Sequence, residues 1–249
     1  RRQMALYDRV SQFAMVAARE AIAQSGIVFD GGLGARTAAI LGSGIGGRTT
    51  FGGGYQRLYG EKIARVHPLT IPRLMINAPA SHLSIAYGIT GPSFVVASAC
   101  ASANHAIAIA FDMVRRGVVE AAVTCGTEAP MTVGVIKAWE ALRVMSPDTC
   151  RPFTKDRRGM ILGEGAGVFV IETLDRARAR GAPILAEIAG SGMSSDARDI
   201  VQPSEDGAVN AMTLALADAG LEVGEIDYIN AHGTGTQAND VTETRAIRR

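Results

Sequence analysis

The sequence predicts an α/β domain, and three observations carry the prediction. Short apolar runs of strand length alternate along the chain with longer segments of helical period. Those runs are continuous rather than alternating, as expected of strands buried on both faces. The chain is 47% hydrophobic and 20% charged, which supports a large core and excludes wholesale disorder. At 249 residues it has the length of one large domain or two small ones. No linker or low-complexity tract interrupts it, so one continuous domain over 1–249 is expected.

Taken in order, Asp8 caps a helix that runs to Gln24, sets Phe13, Val16, Ala17 and Ile22 near one face, and stops at Gly26. A buried strand follows at Thr37–Gly42, then a Gly-rich stretch through Gly54. Gly42-x-Gly44-x-x-Gly47 has the form of a dinucleotide fingerprint. The next residues, 48–60, hold four more glycines and no clean helix, and no strand ending in Asp or Glu follows at the right distance, so nucleotide binding is disfavoured. Residues 77–87 read as a helix ended by Gly88. Residues 94–99, an apolar run behind Gly91-Pro92, read as a central strand. From 101 to 116 the spacing is helical and rich in Ala and Ile, predicting a helix buried on most sides.

Residues 120–124 read as a strand, 132–145 as a helix, 168–172 as a strand, 174–180 as a short basic helix and 184–190 as a strand. Gly163-Glu164-Gly165-Ala166-Gly167, lying ahead of a strand, reads as a tight turn with close backbone packing. Ser204 or Asp206 opens a helix that ends at Gly220; 226–230 is a strand, and a helix follows from Asp240.

Lys+Arg 25 against Asp+Glu 24 leaves a net charge of +1, which excludes a broad electrostatic footprint for nucleic acid. No apolar run approaches the ~18 residues of a membrane span. The three Cys form no CxxC pair, so neither a disulfide framework nor a zinc ribbon is indicated. His67, His82 and His105 lack metal-ligand spacing, and no metal site is expected; His82 and His105 read as core histidines on helices. Arg143, Arg151, Lys155, Arg157 and Arg158 cluster around Pro152 as a solvated face or a landing site for an acidic partner. Residue 1 is Arg and the last residues still read as helix, so both ends are expected to be cut.

Cys100 is the most informative position for chemistry. It ends one apolar run and opens a helix, a strand–turn–helix arrangement that presents a nucleophile at a helix N-terminus, where the dipole favours thiolate. The alternative is a Cys that fills core. His232 lies in Asn230-Ala231-His232-Gly233-Thr234-Gly235-Thr236, just past a predicted strand, where α/β folds gather ligands. It is placed to donate a hydrogen bond or move a proton, or else is a solvated loop His. Thr234 and Thr236 offer hydroxyls to a polar substrate arm. Asp240 and Glu243, three apart, share one helix face, or serve as cap and first turn. Trp139, the single Trp, sits between Lys137 and Glu140 on a helix, beside a substrate channel or in core.

Ser98-Ala99-Cys100-Ala101-Ser102, the His232 segment, and Arg151-Pro152-Phe153 with Leu162-Gly163-Glu164-Gly165-Ala166-Gly167 together resemble the β-ketoacyl-acyl carrier protein synthases. The nearest type is the elongating synthase II group, with its nodulation and polyketide relatives, and the resemblance covers essentially the whole chain. It implies a thiolase-like five-layer αβαβα sandwich, truncated here at both ends: 1–181 as an N-terminal half lacking its first strand region, and 182–249 as the start of a C-terminal half. It implies Cys100 as the acyl-accepting nucleophile and His232 as one of two histidines acting on malonyl-carrier protein. Thr234 and Thr236 would hold the pantetheine arm, Met75 and Trp139 line the acyl pocket, Asp240 and Glu243 support the active-site network, and Arg143 docks the carrier.

Arg1 and Arg2 lie near a further basic docking segment. The resemblance also implies no metal or redox cofactor, substrates carried on the phosphopantetheine of acyl carrier protein, a homodimer across the strand before the nucleophile helix, and a cytoplasmic location. Ala103 stands where many members have Gly. The family's second histidine, its lysine and a late Gly-Gly-Thr-Asn segment are expected beyond the equivalent of Arg249, so condensation by these 249 residues alone is not expected. A thiolase or initiating synthase is disfavoured by the His-Gly-Thr-Gly-Thr motif. Cys100 argues against a non-catalytic partner subunit that sets chain length, and the lack of an orienting Asn or Asp against a Cys/His hydrolase.

Overall fold

The computed structural model describes residues 6–249, the side chain of Cys125 excepted; Arg1 and Arg2 lie outside the described residues. The chain divides into two compact units, Arg1–Gly134 with Gly163–Glu187, and Val135–Leu162 with Ile188–Arg249.

The first unit is built on a four-stranded sheet in the order β2-β1-β3-β4, with β1 at Thr37–Gly42, β2 at Ser93–Val96, β3 at Ala121–Glu128 and β4 at Gly165–Glu172. β1 runs parallel to β2 and β3, whereas β4 is antiparallel to β3. All six residues of β1 are buried, which is why its sequence is continuously small or apolar. Its side chains alternate between two cores. Ala39 joins Ala18 and Ile22 of helix α1 (Arg9–Ser25) and Leu83 of α4 (Ala78–Tyr87) on one face. Ala38 and Ile40 meet Ala106, Ala110 and Val114 of α5 (Ser102–Arg115) on the other. Three αβα layers result.

Local signals set most boundaries. The Asp8 carboxylate accepts from the Val10 N–H, and Gly26 closes α1 in the left-handed conformation. Gly88 does the same for α4. Between them lie a 3₁₀ turn (Leu33–Arg36), α2 (Arg48–Tyr55), a π-turn (Gln56–Gly60) and α3 (Thr70–Leu74). α6 (Val133–Ala141) follows β3, and α7 (Leu174–Ala179) follows β4. In the second unit α8 (Glu205–Ala219) is capped by the Ser204 hydroxyl and stopped by Gly220, and α9 (Gln237–Arg248) is capped by Thr236. α8 and α9 pack on each other.

The structure corrects several expectations. Residues 48–60 are helical despite four glycines, the Phe51 ring meeting Tyr55 edge to face and Tyr55 stacking on Tyr59 along that stretch. The predicted central strand at 94–99 is shorter, Ser93–Val96, and forms one edge of the described sheet, because the chain must leave the ladder to make the turn at Ala99. Gly165 and Gly167 are strand rather than turn, paired opposite Glu128 and Gly126. The helix expected to reach 145 stops at Ala141, where Arg143 turns left-handed (φ 56°) and Met145 bridges to Met160. Residues 184–190 and 226–230 form no strand. A strand exists only as one side of a ladder, and neither segment has a ladder partner among the described residues.

Candidate active site

Cys100 occupies a sharp turn between β2 and α5. Ala99, just before it, is left-handed (φ 52°), a conformation that costs a residue with a Cβ about 1–2 kcal/mol. Ala101 is the N-cap of α5, so Cys100 stands at the positive end of that helix. Side chains tie the turn. The Ser102 hydroxyl donates to the Ala99 carbonyl at 2.6 Å and accepts from the Ser98 N–H at 2.9 Å. Ser98 Oγ lies 2.7 Å from His105 Nδ1.

Two glycines admit the start of α5 to the sheet. A Cβ on Gly42 would stand 2.4 Å from the Ser102 carbonyl, and one on Gly126 2.5 Å from the Ala103 Cβ. Ala103 is therefore accommodated by the bare backbone of β3. Cys100 is exposed, which removes the core-filling alternative. Met75, also in the first unit, ends α3 and is exposed.

The second unit gathers the other predicted residues. The Glu243 carboxylate accepts from the backbone N–H groups of His232 (2.6 Å) and Gly233 (2.9 Å). Asp240 accepts from the N–H of Gly235 at 3.1 Å and of Phe153 at 2.8 Å. Asn239 bridges both acids, at 3.3 and 3.2 Å. Neither acid caps α9, since Thr236 does. Instead they reach back and hold the loop in one shape, with His232 exposed above it. The Thr234 and Thr236 hydroxyls lie 2.8 Å apart.

Sequence reasoning missed three supports of this loop. Arg157, expected on a solvated face, is 12% exposed and pairs with Asp240 at 3.3 Å, while its Nε also donates to the Thr236 carbonyl at 3.3 Å. Gly159 donates to the Gly235 carbonyl at 2.9 Å, and Cys150 Sγ to that of Thr234 at 3.5 Å. Asp240 held the available signal: an acid on the inner face of a helix calls for a cation.

Pro152 and Phe153 lie against left-handed Gly233 (φ 52°), where a Cβ would come within 3.3 Å of both. The Arg-Pro-Phe and His-Gly-Thr-Gly-Thr motifs are thus two sides of one structure. Trp139 is half-buried on α6, and Arg143 is exposed just beyond it.

Much of the basic cluster is internally neutralised. Arg151 and Arg158 share Asp148, at 2.6 Å each, and Arg151 also pairs with Asp156. Hydrogen bonds from Ser146 and the Thr149 N–H, with the two guanidiniums, hold the Asp148 carboxyl well below the usual carboxylate range. Arg143 and Lys155 face no carboxylate within ion-pair distance among the described residues. Of the remaining histidines, His82 stacks on Tyr7 with ring centroids 3.9 Å apart, and burial pushes its pKa down. Among the described residues no group of three or more His, Cys, Asp or Glu is placed to hold a metal ion, and no helix is long and apolar enough to cross a membrane.

Comparison with known proteins shows the family. Residues 1–177 match the family profile "Beta-ketoacyl synthase, N-terminal domain", and residues 185–249 match "Beta-ketoacyl synthase, C-terminal domain". The chain is 49% identical over 249 residues to Nodulation protein E of Rhizobium sp. (strain N33), covering 100% of this chain and 62% of that protein. It is 40% identical over 248 residues to 3-oxoacyl-[acyl-carrier-protein] synthase 2 of Staphylococcus aureus (strain N315), covering 97% of this chain and 60% of that one. Among solved structures, "The ishigamide ketosynthase/chain length factor" superposes with a TM-score of 0.91 at 35% identity, covering 97% of this chain and 60% of that one. The chain spans about three fifths of the length of these proteins.

Proposed function

The chain belongs to the β-ketoacyl synthase family, and from that premise we propose that the full-length protein is a 3-oxoacyl-acyl carrier protein synthase of fatty acid, nodulation-factor or polyketide synthesis. One observation carries the reading: in Ser98-Ala99-Cys100-Ala101-Ser102 the thiol is exposed on a tied turn at the head of α5. The sulfur attacks an acyl thioester, the carrier thiol leaves, and the acyl group waits on Cys100, which splits a difficult condensation into two easier steps. The Cys100 N–H donates one bond to the developing oxyanion. Malonyl-carrier protein then enters and loses CO₂. His232 donates to the malonyl thioester oxygen, stabilising the enolate that attacks the acyl-Cys100 carbonyl. The product is a 3-oxoacyl chain two carbons longer.

Glu243 and Asp240 keep the His232 loop in place during these steps, acting on backbone N–H groups. The Thr234 and Thr236 hydroxyls take the phosphopantetheine arm, and Met75 and Trp139 line the acyl pocket. No metal or redox cofactor enters this scheme. The acidic carrier protein docks on Arg143, whose guanidinium has no carboxylate partner among the described residues. The protein works as a homodimer paired through β2, one edge of the described sheet, and in the cytoplasm.

The test is mass spectrometry of the full-length protein offered acyl-carrier proteins of different chain lengths. Cys100 is expected to gain the acyl mass, and Cys125 and Cys150 are not. No acyl-Cys100 with any donor overturns the reading and favours the runner-up, a non-catalytic partner subunit that sets chain length.

A further inference from the structure

We propose that Glu128 is a positioning residue for the turn that carries Cys100, an inference that rests on the reading of Cys100 as the nucleophile. Glu128 ends β3, opposite Gly165 in the ladder. Its carboxylate meets no cation among the described residues and is spent instead on the chain leaving β1. Oε2 accepts from the Gly44 N–H at 2.6 Å, and Oε1 from the Ser43 hydroxyl at 3.3 Å. Ser43 Oγ in turn accepts from the Gly46 N–H at 3.2 Å, and the Ser43 N–H donates to Val96 at the end of β2, at 3.1 Å. One carboxylate therefore shapes residues 43–46 through charge-assisted bonds.

That stretch lies against the nucleophile turn. A Cβ on Gly44 would stand 3.0 Å from Glu128 Oε2 and 3.7 Å from both Cα and O of Ala99. Ala99 is the left-handed residue whose conformation aims Cys100. A strained residue keeps such a conformation only where its surroundings over-determine it. Ser102 braces the turn from the α5 side. Gly44, held by Glu128, braces it from the β1 side. Glu128 touches no reacting atom; it acts through Gly44 on Ala99.

The experiment compares Glu128→Ala and Glu128→Gln with the wild type in the full-length protein, reading acylation of Cys100 and the kcat and KM for acyl-carrier protein. The Ala variant is expected to lower acylation and kcat about 10- to 100-fold with KM changed less than about 3-fold, and Gln, which retains an acceptor for the Gly44 N–H, to recover most of that loss. Far-UV circular dichroism checks the fold. If the Ala variant does not fold, Gly44→Ala tests the same contact from the other side, and slow acylation with Glu128 intact supports the proposal. A reactive wild type with an equally reactive Ala variant, or a Gln variant as slow as Ala, overturns the inference alone. A wild type whose Cys100 takes no acyl group overturns the nucleophile reading and this inference with it.

Discussion

Asp240 is 2% exposed and still accepts hydrogen bonds from two backbone N–H groups and one side-chain amide, besides pairing with Arg157. A carboxylate so enclosed is tolerable only because each of those partners is present. Removing it leaves a nearly buried guanidinium without its carboxylate and two backbone N–H groups without an acceptor. Asp240→Ala is therefore expected to destabilise the protein by about 3 kcal/mol, read by denaturant unfolding. A loss within error would show that the loop keeps its shape without the acid. At this scale the sequence identified the acids and hydroxyls of the candidate site but not Arg157. Its charge reads as surface because nothing local shows that the chain folds back on Asp240, a hydrogen-bonding neighbourhood formed across 79 to 87 residues.

The packing of α5 on the sheet is decided by what is missing from two side chains. Gly126 in β3 leaves the space that the Ala103 Cβ occupies, 2.5 Å from where its own Cβ would lie. Gly126→Ala is expected to cost about 2 kcal/mol through overpacking. Ala103→Gly alone should cost about 1 kcal/mol, since Gly disfavours the helix. Because both substitutions act on one contact, the double variant should be more stable than the sum of the singles predicts, by at least about 0.5 kcal/mol in a thermal-unfolding cycle. Strict additivity would mean that α5 does not rest on Gly126. Elements with local punctuation were legible, as α1 between Asp8 and Gly26 shows. Residues 184–190 and 226–230 were not, because their apolar pattern is that of a strand while the ladder that defines one depends on distant chain.

Over the whole molecule, the sheet places buried β1 inside and leaves β2 at an edge with Phe94 39% exposed. An edge strand carrying an exposed aromatic is a template for a second chain. In the proposed homodimer Phe94 lies at that seam, so Phe94→Lys is expected to shift the full-length protein from dimer toward monomer. Light scattering after size exclusion reads the mass. Since Phe94 is not enclosed within the single chain, the variant monomer should remain folded, and an unchanged dimer mass would place the interface elsewhere.

The sequence by itself determined the class of fold, the Asp8 and Gly26 boundaries of α1, the glycine stops of α4 and α8, the strand Thr37–Gly42, and the two motifs around Cys100 and His232. Each depends on residues within a few positions of one another, where capping, periodicity and turn chemistry act. Tertiary structure alone decided that Arg-Pro-Phe underlies the His232 loop, that Arg157 is enclosed with Asp240, and that Glu128 holds Gly44 from 84 residues away. Such contacts are set by how strands are ordered and segments folded back. A linear pattern states which groups need partners, and only the fold brings those partners within bonding distance.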